Sequence, residues 1–383
     1  MKILIATEVV LIRNKGHYYL SSAFGSILKR YYENFGKVLL CSRVQNTTPP
    51  DKYFCVDEYI EKSISTSLKD SLLKKNNKML KDAISECDLV VGRCPSIIAY
   101  NTLSLARKMG KPTFAEVVGD AWDSYWNHSL KGKLIAPYMF FAAKQNIKKA
   151  DYALYVTSEF LQKRYPCKNK TIGLSDVKID SVENEILENR ISKIESTNYK
   201  EVTLVTTAAV NVKYKGQQYV IKAIPKLNKL GIKAKYILIG GGDQSHLKKI
   251  AKKYRVSEQV EFTGFLSPNE ILEIIDSADL YIQPSLQEGL PRAVVEAMSR
   301  ACPCIGAHTG GIPELIAPQC VVKRKSVKDF VKTILSIYDS EKLLELANQN
   351  FNKSKEFLNN NLDARRNEYY KTIKERICSH DRY

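Results

Sequence analysis

The chain is predicted to be an α/β protein built from two doubly wound, parallel-sheet domains, and three observations carry that prediction. Short runs rich in Val, Ile and Leu alternate with helix-length segments along both halves, the pattern of repeated βαβ units. The length, 383 residues, suits two domains with a core each. Residues 175–200 turn polar and charged, which marks the expected linker.

Residues 2–9 are expected as the first strand. The start, MKILIATEVV, lacks the basic leader and small-residue cleavage site of a signal peptide. A loop over residues 11–18 follows, holding Lys15, Gly16 and His17, then a helix over 20–32 and a strand over 37–43. Residues 51–83 are polar and Lys-rich with weak helical periodicity. A strand at 88–94, a helix near 96–108 and a strand at 111–120 continue the alternation. Gly119-Asp120 falls at the carboxyl end of that last strand, where doubly wound sheets hold their ligands. Residues 127–151 then carry Lys131, Lys133, Lys144, Lys148 and Lys149 around LIAPYMFFAA, with no acid between Asp123 and Asp151. Such a segment suits an anionic leaflet. A core helix with lysine stems on its wet face is the preferred reading. A strand over 151–158 closes the first domain.

The second half opens with a strand over 202–209 and a loop carrying Lys213, Lys215 and Gly216. A helix over about 218–230 is followed by a strand that ends in Gly240-Gly241-Gly242, where the backbone can approach a ligand. Residues 279–285 form the next strand. Residues 281–316 read as strand, loop, helix, strand, loop, helix. Their centre is Glu288-Gly289-Leu290-Pro291, with Pro291 suited to the first helical position and Gly289 to close approach of the chain. Glu288 and Glu296 flank a helix N-terminus, a place that favours anions. A ligand with hydroxyls for the carboxylates and phosphates for the amides fits both, and a nucleotide sugar has both. Helical segments over 327–350 and 351–377 end the chain.

Glu288 and Glu296 stand with seven residues between them. Pro284-Ser285 precedes them, and Ala297-Met298, Pro303 and Gly310-Gly311-Ile312-Pro313-Glu314 follow. This ordered set resembles the E-x7-E region of family 4 of the retaining glycosyltransferases. The resemblance implies a GT-B fold: two Rossmann-like domains facing a central cleft, the acceptor-side domain at residues 1–180 and the donor-binding domain at 181–361. It also implies that a terminal helix at about 362–383 packs back on the first domain.

By the same resemblance, Glu296 holds the ribose diol and Glu288 the hydroxyls of the transferred sugar. Lys215, with amides near Gly289, Leu290 and Pro291, stabilises the leaving diphosphate. Gly241, Phe265, Leu266 and Ser285 line the nucleotide. The pattern departs from the family in three places. The usual Gly-Arg pair is Ala208-Ala209, so Lys213 is the candidate for the missing charge. A His-Gly pair is replaced by Gly119-Asp120, and Asp120 either serves the acceptor or caps the next segment. The first loop keeps one glycine, Gly16, beside Lys15, and its role stays open between ligand contact and solvated loop. The implied donor is a nucleoside-diphosphate sugar with uracil as the base, used as substrate without a cofactor. The implied acceptor is a glycan or polyprenyl-linked glycan for a surface polysaccharide. A non-catalytic nucleotide-sugar binder, an epimerase and a phosphorylase are the alternatives.

The formal charge is +18. Residues 1–200 hold 31 Lys+Arg against 21 Asp+Glu and the rest 28 against 20, so the excess is spread over both halves. No nucleic-acid motif or stacking pattern accompanies it, which favours phosphates and an anionic membrane surface over nucleic acid. Nine scattered cysteines suit reduced thiols in a cytosol. The expected location is cytoplasmic, with peripheral attachment at the inner membrane face. Cys302-Pro-Cys304 is read as packing. The five histidines lack partners at metal-ligand spacing, and no Asp-x-Asp occurs, so no metal site is expected.

Overall fold

The computed structural model describes residues 1–73 and 77–380. Residues 74–76 of the Lys-rich stretch and 381–383 of the expected terminal helix lie outside the described residues. The chain forms two compact units: Met1–Leu174 with the chain from Ala364 onward, and Ser175–Asp363.

In the first unit the strands are β1 (Ile3–Asn14), β2 (His17–Ser21), β3 (Val38–Asn46), β4 (Tyr53–Cys55), β5 (Ile60–Ser65), β6 (Leu89–Cys94), β7 (Thr113–Val117), β8 (Tyr152–Tyr155) and β9 (Lys170–Gly173). Parallel pairing runs β5-β3-β1-β6-β7-β8-β9. Ile3, Leu4, Val90, Val91, Phe114 and Ala115 are fully buried, as expected for central parallel strands with helices on both faces. The expected loop over 11–18 is instead a hairpin. β1 runs on to Asn14 and β2 returns antiparallel to it. Lys15 and Gly16 form its two-residue turn with φ of 48° and 88°. Two left-handed residues in succession match the twist of a tight hairpin, and no hydrophobic pattern announces this. β1 also shifts register between Ala6 and Val10.

Glu116 on β7 is fully buried between Arg30 and Arg93, at 2.9 and 2.5 Å. The helix Asn359–His380 contributes Tyr369, whose hydroxyl donates to Ala153 O and Lys170 O, and Tyr370, whose ring lies 5.2 Å from that of Phe35.

The expected linker over 175–200 is not a loose connection. It holds the helix Asn184–Glu195, and Arg190 on it is buried and donates to Ala278 O and Ile275 O. Ile179 pairs with Leu358, so residues 175–180, expected in the first domain, lie in the second unit. The segment reads as polar because its buried side is a guanidinium on carbonyls and one apolar residue, Ile194, not a broad apolar stripe.

The second unit has a six-stranded sheet of β10 (Glu201–Thr207), β11 (Lys233–Ile239), β12 (Val260–Gly264), β13 (Leu280–Gln283), β14 (Cys304–Ala307) and β15 (Val321–Val322), in the order β12-β11-β10-β13-β14-β15. All five pairings are parallel. The order reverses between β10 and β13, which makes the carboxyl ends of those two strands the topological switch point. Cys302 and Cys304 are free and buried, and burial pushes both thiols up in pKa, in keeping with packing.

Candidate active site

Two loops meet at that switch point. After β10 the chain turns through Lys213–Lys215 and Gly216, and after β13 it runs through Ser285 to Pro291. Lys215 Nζ lies 2.7 Å from Glu288 Oε1. Their side chains are 23% and 11% exposed, so the pair is sheltered yet reachable. Gln283 donates from Nε2 to Glu288 Oε1 at 3.0 Å and to Ser285 Oγ at 2.9 Å. Tyr281 OH donates to Gln283 Oε1 at 2.9 Å. A chain of side chains running from the strand interior thus fixes the Glu288 carboxylate.

Glycines bring the loops this close. Gly216 has φ 79°, and a Cβ there would lie 2.0 Å from Pro284 O. Gly310 has φ 54°, and its Cβ would lie 2.2 Å from Glu288 O. Gly311 N–H donates to Gly289 O at 2.7 Å, so the Gly310-Gly311 turn braces the Glu288-Gly289 loop. Gly216→Ala is therefore expected to cost about 2–4 kcal/mol from left-handed strain and overpacking and to part Lys215 from Glu288. A lowered midpoint of thermal unfolding is the check.

Glu296 sits on the helix Arg292–Ser299. Burial raises its pKa above the usual glutamate value, with Arg292 at 3.9 Å pulling it back. Pro291 is the N-cap of that helix, one position earlier than the sequence suggests. At the ends of β11 and β12 the expected donor residues come together: a Cβ on Gly241 would fall 2.1 Å from the Phe265 ring, and that ring is exposed. Leu266 follows it at the surface edge. Ser285 is fully buried and serves the Gln283 link.

Other expected residues take different places. Lys213 is exposed and its charge acts on His246, lowering that imidazole's pKa after burial does so. It does not join the Lys215–Glu288 pair. At Ala208-Ala209, both carbonyls accept from Gln217 Nε2, so an amide ties the loop where the family carries a guanidinium. Asp120 is buried and caps the helix Ala121–Trp126. Its carboxylate accepts from Trp122 N–H at 2.8 Å and Tyr165 OH at 2.6 Å and meets Arg164 at 2.5 Å. Capping, one of the two readings expected for Asp120, therefore has geometry behind it. Lys15 and Gly16 stand at an exposed hairpin tip, which suits the solvated-turn reading.

Sequence reasoning missed Gln283, Tyr281 and Glu8. A glutamine ending an otherwise apolar strand was the available signal for the first. Glu8, at the irregularity in β1, accepts the Ile97 N–H at 2.5 Å, and burial raises its pKa. His17 also has neighbours that spacing hides. Its ligand atoms, with those of Cys55 and Asp57, lie within 4.8 Å of one another. Yet His17 Nδ1 and Asp57 Oδ2 are 2.6 Å apart, closer than the roughly 3.3 Å that two ligands of a tetrahedral ion keep, and a hydrogen bond accounts for the contact.

A parallel sheet whose switch point carries a braced carboxylate–lysine pair places a candidate ligand site where doubly wound α/β proteins hold their ligands, and the comparisons say which family this is. Residues 188–354 match the family described as Glycosyl transferases group 1. CapJ of Staphylococcus aureus is 30% identical over 346 residues, spanning 87% of this chain and 85% of CapJ. The chain belongs to the glycosyl transferases group 1 family. The amylovoran biosynthesis glycosyltransferase AmsK of Erwinia amylovora is 31% identical over 131 residues, 32% of each chain. Among solved structures, Anabaena Alr3699/HepE in complex with UDP superposes with a TM-score of 0.65 at 15% identity, covering 97% of this chain and 100% of that one. The fold is GT-B.

Proposed function

We propose that the protein is a retaining, metal-independent glycosyltransferase that moves a sugar from a UDP-linked donor to a glycan or lipid-linked glycan of a surface polysaccharide. The observation that carries the reading is the Lys215–Glu288 pair at the switch point, with Glu296 on the helix that follows. UDP as the ligand of the HepE structure and amylovoran biosynthesis as the role of AmsK support donor and product class.

In this reading the pair holds itself neutral until the donor arrives. Lys215 then turns to the diphosphate, where charge grows as the glycosidic bond breaks; a charge-assisted hydrogen bond there contributes about 1.5–3 kcal/mol. Glu288, kept in place by Gln283, accepts hydroxyls of the sugar and orients its anomeric carbon. Glu296 accepts both ribose O–H donors at once. The acceptor hydroxyl attacks the face the diphosphate leaves, and the departing phosphate takes its proton. Lys215 supplies the positive charge that a divalent ion supplies elsewhere.

The test is thermal stability with UDP, GDP, ADP and CMP on wild type and Glu296→Gln. UDP at 100 times its dissociation constant is expected to add about 2.7 kcal/mol to wild type and clearly less to the variant. Ionised Glu296 is the form that accepts the diol. Affinity should thus fall as the pH drops through its raised pKa, earlier than for an ordinary glutamate, and Glu296→Gln should flatten that limb. Stabilisation by none of the four nucleotides would sink the reading. Product formation only when acceptor is present separates transfer from binding or epimerisation.

A further inference from the structure

The helix Leu130–Lys148 of the first unit has two apolar faces, and only one of them is covered. Ala136, Met139, Ala143 and Ile147 are buried in the core. On the opposite side Leu130, Leu134, Tyr138 and Phe141 are 80%, 83%, 55% and 67% exposed. Their spacing of four, four and three residues puts them within one stripe about three turns long. The core-helix expectation therefore holds for one face only, since the wet face is not lysine alone. A helix that is apolar all round normally lies buried, and an apolar row left in water marks an interaction surface.

Charge says what covers it. Lys131 and Lys133 flank the row at one end. At the other, Lys144, Lys148, Lys149 and Lys168 ring a basin beside Phe141. No acid occurs between Asp123 and Asp151. Trp122 and Trp126 stack at 5.1 Å just before the helix, and Lys133 lies 5.6 Å over the Trp126 ring. Aromatic rings with a polar edge, lysines and an apolar stripe are the three parts of a helix that lies in a lipid interface. An anionic leaflet offers apolar depth for the row and phosphates for the six lysines in one surface. No helix among the described residues is long and apolar enough to cross a membrane, so attachment by this face is attachment to a surface.

We infer that this face docks the protein on an anionic lipid bilayer, with Leu130, Leu134 and Phe141 entering the acyl boundary and the Lys144–Lys148–Lys149–Lys168 basin holding headgroup phosphates. The inference rests on the lipid-linked-acceptor part of the reading above and gives it a place on the molecule; it is independent of the donor chemistry.

The experiment uses the full chain with no donor or acceptor. The only two tryptophans in the sequence are Trp122 and Trp126, so intrinsic fluorescence reports on this face directly. Vesicles of phosphatidylcholine mixed with phosphatidylglycerol are expected to shift the emission to the blue and to carry the protein down on sedimentation, and phosphatidylcholine alone to do neither. Added salt should weaken the effect. A Lys144→Gln/Lys148→Gln/Lys149→Gln variant should bind about a hundredfold more weakly, at roughly fivefold per lysine. A Leu130→Ser/Leu134→Ser/Phe141→Ser variant should lose the blue shift. All six positions are exposed, so thermal midpoints and UDP stabilisation should match wild type in both variants. Equal binding to neutral and anionic vesicles overturns the inference, as does binding untouched by either variant. A chain that ignores vesicles but sediments as a dimer, with Leu134→Ser and Phe141→Ser dispersing it, overturns it in favour of a second copy. UDP stabilisation without vesicle binding would leave the donor reading standing and this one refuted.

Discussion

Glu288→Gln is expected to lower the rate of sugar transfer by about a thousandfold while nucleotide binding survives. Three observations set this expectation. Glu288 is the partner of Lys215 at 2.7 Å and of Gln283 at 3.0 Å, so its carboxylate is held where the loops after β10 and β13 meet. The amide has nearly the same shape, so the loop braced by Gly310 and Gly311 should stay in place. What changes is charge: an amide is a weaker acceptor for sugar hydroxyls and no longer neutralises Lys215. The free lysine should then bind the diphosphate at least as well as in wild type. UDP titration by calorimetry and a transfer assay, run on the same preparation, check both halves. Loss of UDP binding together with transfer would mean that Glu288 acts on loop structure. Unchanged transfer would remove it from the mechanism.

Glu116→Ala is expected to give the largest loss of stability, about 3–5 kcal/mol. Glu116 is fully buried and meets both Arg30 and Arg93, each only 12% exposed. Taking away the carboxylate leaves two sheltered guanidinium charges without their shared anion, and that desolvation cost dominates the effect. A drop of this size shifts the unfolding midpoint of a unit of this length by roughly 10 °C. Calorimetry should place the loss in the transition of the first unit, with UDP stabilisation of the second unit unchanged. Replacing the whole triad, as Arg30→Met/Glu116→Leu/Arg93→Met, should recover most of the loss, because no guanidinium is then held at this buried place without the carboxylate. A single variant as stable as wild type would mean that the arginines are satisfied by other groups.

Much of the architecture could be read along the chain. Parallel strands buried on both faces are continuous apolar runs, and β1, β6, β7, β10, β11 and β13 are found within a few residues of where such runs fall. What local pattern could not show was the β1–β2 hairpin, since two left-handed residues at Lys15 and Gly16 leave no hydrophobic signature. Nor could it show the packed helix at Asn184–Glu195, because Arg190 anchors it through carbonyls.

The same division runs through the site. Glu288, Glu296, Gly289 and the paired glycines at 310 and 311 are local features, fixed by the turn and helix they build, and one stretch of sequence carries them all. That Lys215 faces Glu288 across 73 positions in the chain depends on β10 and β13 lying side by side, which only the sheet order decides. Gln283 and Tyr281 acquire their roles the same way, through contacts made after the strands are packed. Asp120 shows the converse. Its position at a strand end suits ligand binding and capping equally well, and only the fold brings Tyr165, Trp122 and Arg164 to the carboxylate in the capping arrangement. The exposed row on the Leu130–Lys148 helix was hidden for a related reason. A helix apolar on two faces has no amphipathic signature in sequence, and packing alone chooses which face meets the core and which meets the world outside.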